Sequence, residues 1–169
     1  MMKIRNVLFV LALVAAPAAV EAQACGGDAC LTATGSVAAF VNASATQGIT
    51  LGVIDPTSGA TVGLGDATNA GSFTIESNQA LWARLAVTPL VHGSDATQQL
   101  ALTITCGAGA SQADAVAAPF GDCTTFNPVL TAPGLVQLFV GASAAAPTNA
   151  HLAGIYTGTV TLTTSNTGT

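Results

Sequence analysis

Few side chains in this 169-residue chain could do acid–base chemistry. His92 and His151 are the only side chains available as bases at neutral pH, and both lie in loop-like sequence. No Gly-x-Ser-x-Gly motif presents a nucleophile. The acidic residues lie mostly in turns, where aspartate is favoured for backbone reasons, although a carboxylate pair for glycoside hydrolysis stays open. We therefore predict that the protein is not an enzyme and has no catalytic residues and no cofactor.

The four cysteines, Cys25, Cys30, Cys106 and Cys123, are even in number, which indicates disulfides in an exported chain. Their grouping favours Cys25 with Cys30 and Cys106 with Cys123, which is one of the three pairings that four cysteines allow. Neither spacing matches a paired zinc knuckle, so we predict no metal site. The longer bridge would close a loop of about 18 residues and contribute about 3 kcal/mol through the unfolded state.

Residues 1–24 have the pattern of a secretory signal peptide. Lys3 and Arg5 form a basic start, and an apolar run follows. The run is short for a bilayer span and Pro17 interrupts it, so we expect no membrane span in the mature chain. The signal predicts secretion, to the periplasm, the cell surface or the extracellular space.

Two cleavage sites fit the pattern of the signal peptide, one after Ala22 and one after Ala24. Cleavage after Ala24 would leave Cys25 at the N-terminus, where lipid modification is an alternative to disulfide formation. Residue 22 is alanine where a lipidation signal has leucine, which favours the unmodified form. The remaining chain, residues 25–169, suits a single domain with a hydrophobic core.

Removal of the signal would leave Arg84 as the only basic residue. A single arginine cannot supply the basic surface that phosphate binding needs, so we predict no nucleic-acid partner. Trp82, the only tryptophan, lies two positions away on the same outward face of a predicted strand. The pair could anchor an interface or a ligand. Alternatively, a loop or terminal segment covers Trp82, and Arg84 meets a carboxylate such as Glu76.

The element that organises the chain is the C-terminal stretch Gly154–Thr164. Apolar residues and glycine alternate there with threonine, because successive side chains of a strand point to opposite faces. One face carries Tyr156, Gly158, Val160 and Leu162, and the other carries Thr157, Thr159, Thr161 and Thr163. A half-buried strand of this kind requires other strands to cover it.

Similar patterns predict strands along the rest of the chain. Two of them, 72–77 and 80–88, look like a hairpin. The segment 107–134 reads as a long loop, with helical character only at 113–118. The fold class predicted is all-β, an antiparallel β-sandwich that is immunoglobulin-like or pilin-like, with a closed barrel as the alternative. The predicted strands are 31–41, 49–54, 60–64, 72–77, 80–88, 99–106, 135–140 and 154–164.

Three segments together resemble a family of secreted bacterial β-sandwich domains of unknown function. That family is distantly similar to spore coat protein U and to chaperone-usher pilin domains. The segments are ITLGVIDP (49–56), GSFTI (71–75) and GIYTGTVTLT (154–163). The resemblance implies a surface or pilus-like structural role and no catalytic residues. This chain departs from the family pattern at its end, where the polar tail 165–169 replaces an aromatic residue.

Pilin-like assembly would add an extended segment of one subunit to the sheet of the next. Residues 31–41 have the required alternation, although the same pattern suits the first strand of the chain's own domain. We predict a secreted or cell-surface structural protein that self-assembles as a pilus or fibre subunit. The alternative is a monomeric binding module for a glycan or protein, which uses loop 107–134 or the Trp82 face. The candidate assembly residues are Leu31, Ala33, Gly35, Val37, Ala39 and Val41.

Overall fold

Strands dominate the part of the chain that the computed structural model describes, residues 36–168. The chain divides into two units, residues 1–37 and 38–169, and every element named below lies in the second. The predicted signal 1–24, Cys25, Cys30 and candidate assembly residues 31–35 lie outside the described residues. Within residues 36–168 the elements are β1 (Val41–Gln47), β2 (Ala60–Val62), β3 (Gly71–Ser77), β4 (Leu81–Val87), β5 (Leu90–His92), β6 (Asp95–Leu100), β7 (Leu102–Gly109), α1 (Gln112–Ala117), β8 (Asn127–Leu130), β9 (Gly134–Ala144), β10 (Tyr156–Thr157) and β11 (Val160–Ser165).

The strands form three antiparallel sheets. In the main sheet β9 is central and pairs with β7 along one side. Along its other side β9 pairs first with β3 and then with β2. Strand β1 pairs with the far side of β3. The C-terminal sheet has the order β11-β4-β8, and the small sheet has the order β10-β5-β6. Strand β1 therefore ends the main sheet, while β10 and β11 end the other two.

The hydrophobic core lies between the main sheet and the C-terminal sheet. Ile75 of β3 and Val140 of β9 are fully buried, and Leu81 and Leu85 of β4 pack into the same cluster. A smaller cluster around Leu90 joins the small sheet to the end of β9. Alternating side chains from facing sheets thus bury one another. The prediction of an all-β, antiparallel, sandwich-like fold is confirmed.

The predicted hairpin of 72–77 and 80–88 is wrong. Strand β3 pairs with β1 and β9, whereas β4 pairs with β11 and β8, so the two belong to different sheets. Their apolar faces pack against each other across the core. The alternation shows which face is buried, but it does not show whether the next strand lies beside it or opposite it.

The first two predicted strands are also displaced. Residues 36–40 form no strand, and β1 begins at Val41 and pairs with β3 as far as Gln47. Residues 49–54, predicted as a strand, are irregular, and no strand within residues 36–168 pairs with them. Gly52 there has a φ of 67°, a left-handed conformation that interrupts a strand.

Two other predicted strands are each divided where the chain passes between sheets. The segment 99–106 breaks at Ala101, between β6 of the small sheet and β7 of the main sheet. The C-terminal segment breaks at residues 158–159, between β10 and β11. His92, predicted to lie in a loop, instead ends β5 and pairs with Asp95 in the β5–β6 hairpin. In β11 the two sides are as predicted, with Val160 and Leu162 half-buried and Thr161 and Thr163 exposed, whereas Gly158, predicted on the inward face, is exposed.

The predicted long loop 107–134 contains regular structure. Helix α1 begins with a capping box, in which Ser111 and Asp114 bond to each other's backbone N–H groups. Strand β8 follows, and its Pro128 is tolerated because β8 lies at a sheet edge. The predicted disulfide between Cys106 and Cys123 is confirmed, with the two Cα atoms 5.9 Å apart. Among residues 36–168 no helix is long and apolar enough to cross a membrane.

Candidate functional site

A groove of about 870 Å³ opens between the irregular segment 49–54 and the residues that lead into β10 and β11. A second hollow of about 330 Å³ shares Ile49 and Gly158 with it and extends it between β1 and the start of β11. We refer to both together as the open groove. Its walls come from the first and the last elements of the domain, which belong to different sheets.

The open groove has an apolar floor and an apolar rim. Leu90 and Leu100 form the floor and are 6% and 4% exposed. On the rim Val53 is 91% exposed, Ile155 is 78% exposed, and Leu152 is also exposed. Large apolar side chains gathered at a groove in this way are typical of an interaction surface.

Unpaired backbone borders the open groove on both sides. Among residues 36–168, strand β11 pairs only with β4 and β10 pairs only with β5, so no described strand lies on the other side of residues 156–164. Opposite this edge, β1 pairs only with β3, and every β1 residue except Gln47 is exposed. In segment 49–54 the Thr50 N–H donates to the carbonyl oxygen of Asn69 (3.0 Å). Within residues 36–168, no strand covers this side of the open groove.

Both histidines hold the wall formed by residues 147–157, a role that sequence reasoning missed. His151 Nδ1 accepts from the Thr148 N–H (3.0 Å), and its Nε2 lies 3.1 Å from the Gln99 carbonyl oxygen. The His92 ring stacks edge-on against Tyr156, with the ring centroids 5.0 Å apart. These residues brace the wall against the small sheet, and no sequence signal distinguished them from solvated loop residues.

The side chain of Asn78 binds the chain that precedes β1. Its Oδ1 accepts from the Phe40 N–H (2.9 Å), and its Nδ2 donates to the Ala38 carbonyl oxygen (2.8 Å). The Ser77 hydroxyl donates to the Phe40 carbonyl oxygen (3.1 Å). Among the described assembly candidates, Val37 and Ala39 are exposed outside any strand, while Val41 pairs with Ser77.

Trp82 and Arg84 lie on the outer face of the C-terminal sheet, away from the open groove. Gly168 of the C-terminal tail lies against the Trp82 ring, so a terminal segment covers part of it, as one interpretation predicted. Arg84 does not meet Glu76, which lies on β3 of the main sheet. Instead, its guanidinium carbon lies 4.9 Å from the centre of the Phe126 ring.

Four of the described aspartates accept hydrogen bonds within their own turns. Hydrogen bonds from the Thr57 side chain and backbone, with a further one from Ser58, lower the pKa of Asp55 to about 2. Hydrogen bonds from neighbouring turn residues also lower the pKa values of Asp66, Asp95 and Asp122. Across residues 36–168 no group of three or more His, Cys, Asp and Glu is placed to hold a metal ion.

No protein-family model matches the chain, and no curated protein matches it with significant sequence similarity.

Proposed function

We propose that the protein is a secreted or cell-surface structural subunit that assembles with copies of itself into a fibre. The segment before β1 of one copy, residues 31–40, would lie in the open groove of the next copy. This is the pilin-like role that the sequence resemblance implies. The observation that carries the proposal is the edge of residues 156–164, which has no described strand on its outer side and whose first residues border an apolar groove.

This edge lacks the features that usually prevent strand addition. Natural edge strands are protected by charged side chains, proline or bulges. Strand β11 contains no charged residue and no proline, and its six residues pair with β4 without a register shift. An unprotected edge offers main-chain hydrogen bonds to an added strand, and the adjoining groove receives alternate side chains.

The segment before β1 has the properties of such an added strand. Its small and apolar residues alternate, and it carries no charge. In the described part Val37 is 89% exposed and Phe40 is 47% exposed, so their apolar surface has no partner within this part of the chain. Val41 already belongs to β1, which limits the proposed donor segment to residues 31–40.

The donor segment and the open groove lie at opposite ends of β1, and this placement favours exchange between copies. The donor segment leaves β1 at Val41, where Asn78 holds residues 38 and 40. The open groove begins near the other end of β1, at Gln47. Six steps along a strand span about 20 Å. Each copy therefore presents a donor at one end of β1 and an acceptor at the other, an arrangement that produces open chains of subunits.

Export is supported by the Cys106–Cys123 disulfide, because such bonds persist mainly in oxidising compartments. The low content of charged residues, 7%, also suits a surface that packs against copies of itself.

Complementary variants test the assembly. Deletion of residues 31–37 removes the donor but leaves the contacts of Asn78, and should give a folded monomer with an intact groove. Ile155→Lys places a charge on the exposed rim of the groove and should give a folded monomer with an intact donor. A mixture of the two variants should form heterodimers only, measured by sizing with light scattering.

Leu135→Lys is the matched control, because Leu135 is an exposed apolar residue that does not line the open groove. This variant should assemble as the wild type does. A wild-type protein that remains monomeric at high concentration, or variants that fail to complement each other while both fold, would exclude the proposed exchange.

A further inference from the structure

The two histidines hold the wall of residues 147–157 through the same hydrogen-bond pattern. His151 Nδ1 accepts from the Thr148 N–H (3.0 Å). His92 Nδ1 accepts from the Ser94 N–H (3.3 Å). A backbone N–H can only donate, so each Nδ1 carries a lone pair and no proton. Both rings are therefore neutral, and the proton of each lies on Nε2.

The Nε2 atoms face carbonyl oxygens, as this tautomer requires. His151 Nε2 lies 3.1 Å from the Gln99 carbonyl oxygen of β6, and His92 Nε2 lies 3.4 Å from the Ala153 carbonyl oxygen of the wall. Glycine at position 154 makes room for the His92 ring, because a Cβ there would overlap its Nε2. The wall is thus joined to the small sheet by two rings, one carried by the wall and one carried by β5.

A second proton on either ring is incompatible with this pattern. Histidine is the side-chain type that ordinarily changes its charge between about pH 5 and 8. A proton on Nδ1 turns an acceptor into an N–H group that points at another N–H group. The hydroxyl groups of Thr148 and Ser94 also lie near Nδ1 of the respective ring, at 2.9 and 3.2 Å, and can turn to accept the new proton. The backbone N–H groups cannot turn, so they lose their acceptors.

Few other titratable groups face the two rings. The described residues that line the open groove include no carboxylate, lysine or arginine, and their titratable side chains are His151 and Tyr156, which contacts His92 edge-on. The small sheet adds Asp95, which pairs with His92 in the β5–β6 hairpin. Hydrogen bonds from the Thr97 side chain and backbone lower the pKa of Asp95, so this carboxylate is ionised at about pH 5 and attracts a protonated His92.

We propose that acid loosens the wall of residues 147–157. At neutral pH the two neutral rings hold the wall against the small sheet. Towards about pH 5, protonation of both Nδ1 atoms removes the acceptors of two backbone N–H groups, one in the wall and one in the β5–β6 turn. The rim residues Leu152 and Ile155 belong to this wall, so the apolar rim of the open groove becomes mobile. The inference concerns the wall itself and does not depend on what occupies the groove.

Nuclear magnetic resonance of the wild-type protein tests the proposal. At about pH 8 the ring nitrogen shifts should identify the Nε2–H tautomer in both histidines. Amide exchange is measured relative to the unfolded chain at the same pH, and protection of the Thr148 N–H should be about fivefold lower at the acidic pH. The Gly93 N–H, which donates to the Ile155 carbonyl oxygen (2.9 Å), should lose protection similarly because it joins the wall to β5.

The Phe120 N–H is the internal control. It donates to the Cys106 carbonyl oxygen (2.8 Å), and neither residue lines the open groove. Its protection should be the same at both pH values. An equal loss at Phe120 would overturn the proposal, because it would show that acid destabilises the whole domain.

His151→Asn separates the titration of the ring from the hydrogen bond that it accepts. The asparagine Oδ1 can accept from the Thr148 N–H in place of Nδ1, and asparagine does not titrate. Protection at Thr148 should therefore be independent of pH in this variant. A loss as large as that of the wild type, wild-type protection that does not change with pH, or an Nδ1–H tautomer in the wild type would each overturn the proposal. Both rings and their partners belong to one copy, so these outcomes are separate from those of the fibre test.

Discussion

Asn78 shows how one side chain can extend a sheet beyond the end of its strand. Its amide accepts from the N–H of residue 40 and donates to the carbonyl of residue 38, as a neighbouring peptide group would. The root of the donor segment is thereby attached to β3 before β1 begins. In the fibre proposal this attachment sets the direction in which the donor leaves its own domain.

Replacement of this residue should loosen the donor root without unfolding the domain. Asn78→Ala removes two partly exposed hydrogen bonds, so we expect a loss of about 1 kcal/mol in unfolding free energy and faster amide exchange at Phe40. Asn78→Asp keeps the acceptor for the Phe40 N–H and should be intermediate. Gln79→Ala is the control. Unchanged exchange at Phe40 in Asn78→Ala would show that the attachment has no effect in solution.

Asp55 provides a test at low pH. Its folded pKa of about 2 lies below its usual value of 3.8, so the ionised form stabilises the turn after segment 49–54. That contribution is present above pH 3.8 and is lost as the pH falls towards 2. Asp55→Ala should therefore show a smaller decrease in melting temperature over this pH range than the wild type. A wild-type slope in Asp55→Ala would contradict this assignment.

At the scale of elements, the disulfide fixes the segment between β7 and β8. Cys106 and Cys123 are both buried in the main core, and they are 17 residues apart in the sequence. Replacing Cys106 and Cys123 together by alanine should lower the unfolding free energy by about 3 kcal/mol, because the unfolded chain gains freedom. Denaturant titration measures this change. A loss below about 1 kcal/mol would show that the bridge adds little to the segment's own packing.

The strands themselves were predictable where one face is buried. In β11 the inward and outward residues are as the alternation requires, and in β4 the inward residues Leu81, Ala83 and Leu85 are buried. Pairing was not predictable in the same way. Strands β3 and β4 follow each other closely in sequence, but the turn at residues 78–80 carries the chain across the core instead of along one sheet.

Segment 49–54 illustrates the other limit. Its sequence has the alternation of a strand, but no strand lies beside it, so it forms a groove wall instead. A strand forms only when a second strand pairs with it, and the alternation of one segment does not predict whether the same chain supplies that second strand. The open groove was therefore not predictable from the residues, whereas the alternation of residues 31–41 predicted a candidate assembly strand, a role that stays a prediction.

At the scale of the whole molecule, the described part of the chain is a sandwich-like fold in which β1 and β11 each pair with one other described strand. The rim of the open groove between them carries the exposed apolar residues Val53 and Ile155, and the fibre proposal takes the added strand from residues 31–40. One added strand would cover β1, the rim residues Val53 and Ile155, and the edge of residues 156–164. The central claim is that this strand comes from another copy.

Amide hydrogen exchange on the 31–37 deletion variant tests this claim most directly. Addition of a synthetic peptide of residues 31–41 should slow exchange at alternate amides of residues 156–164, those that point away from β4 and β5, and should raise the melting temperature. The same peptide with Val37→Lys should have little effect. Protection that is absent from residues 156–164, or that appears at another edge of the domain, would contradict the account.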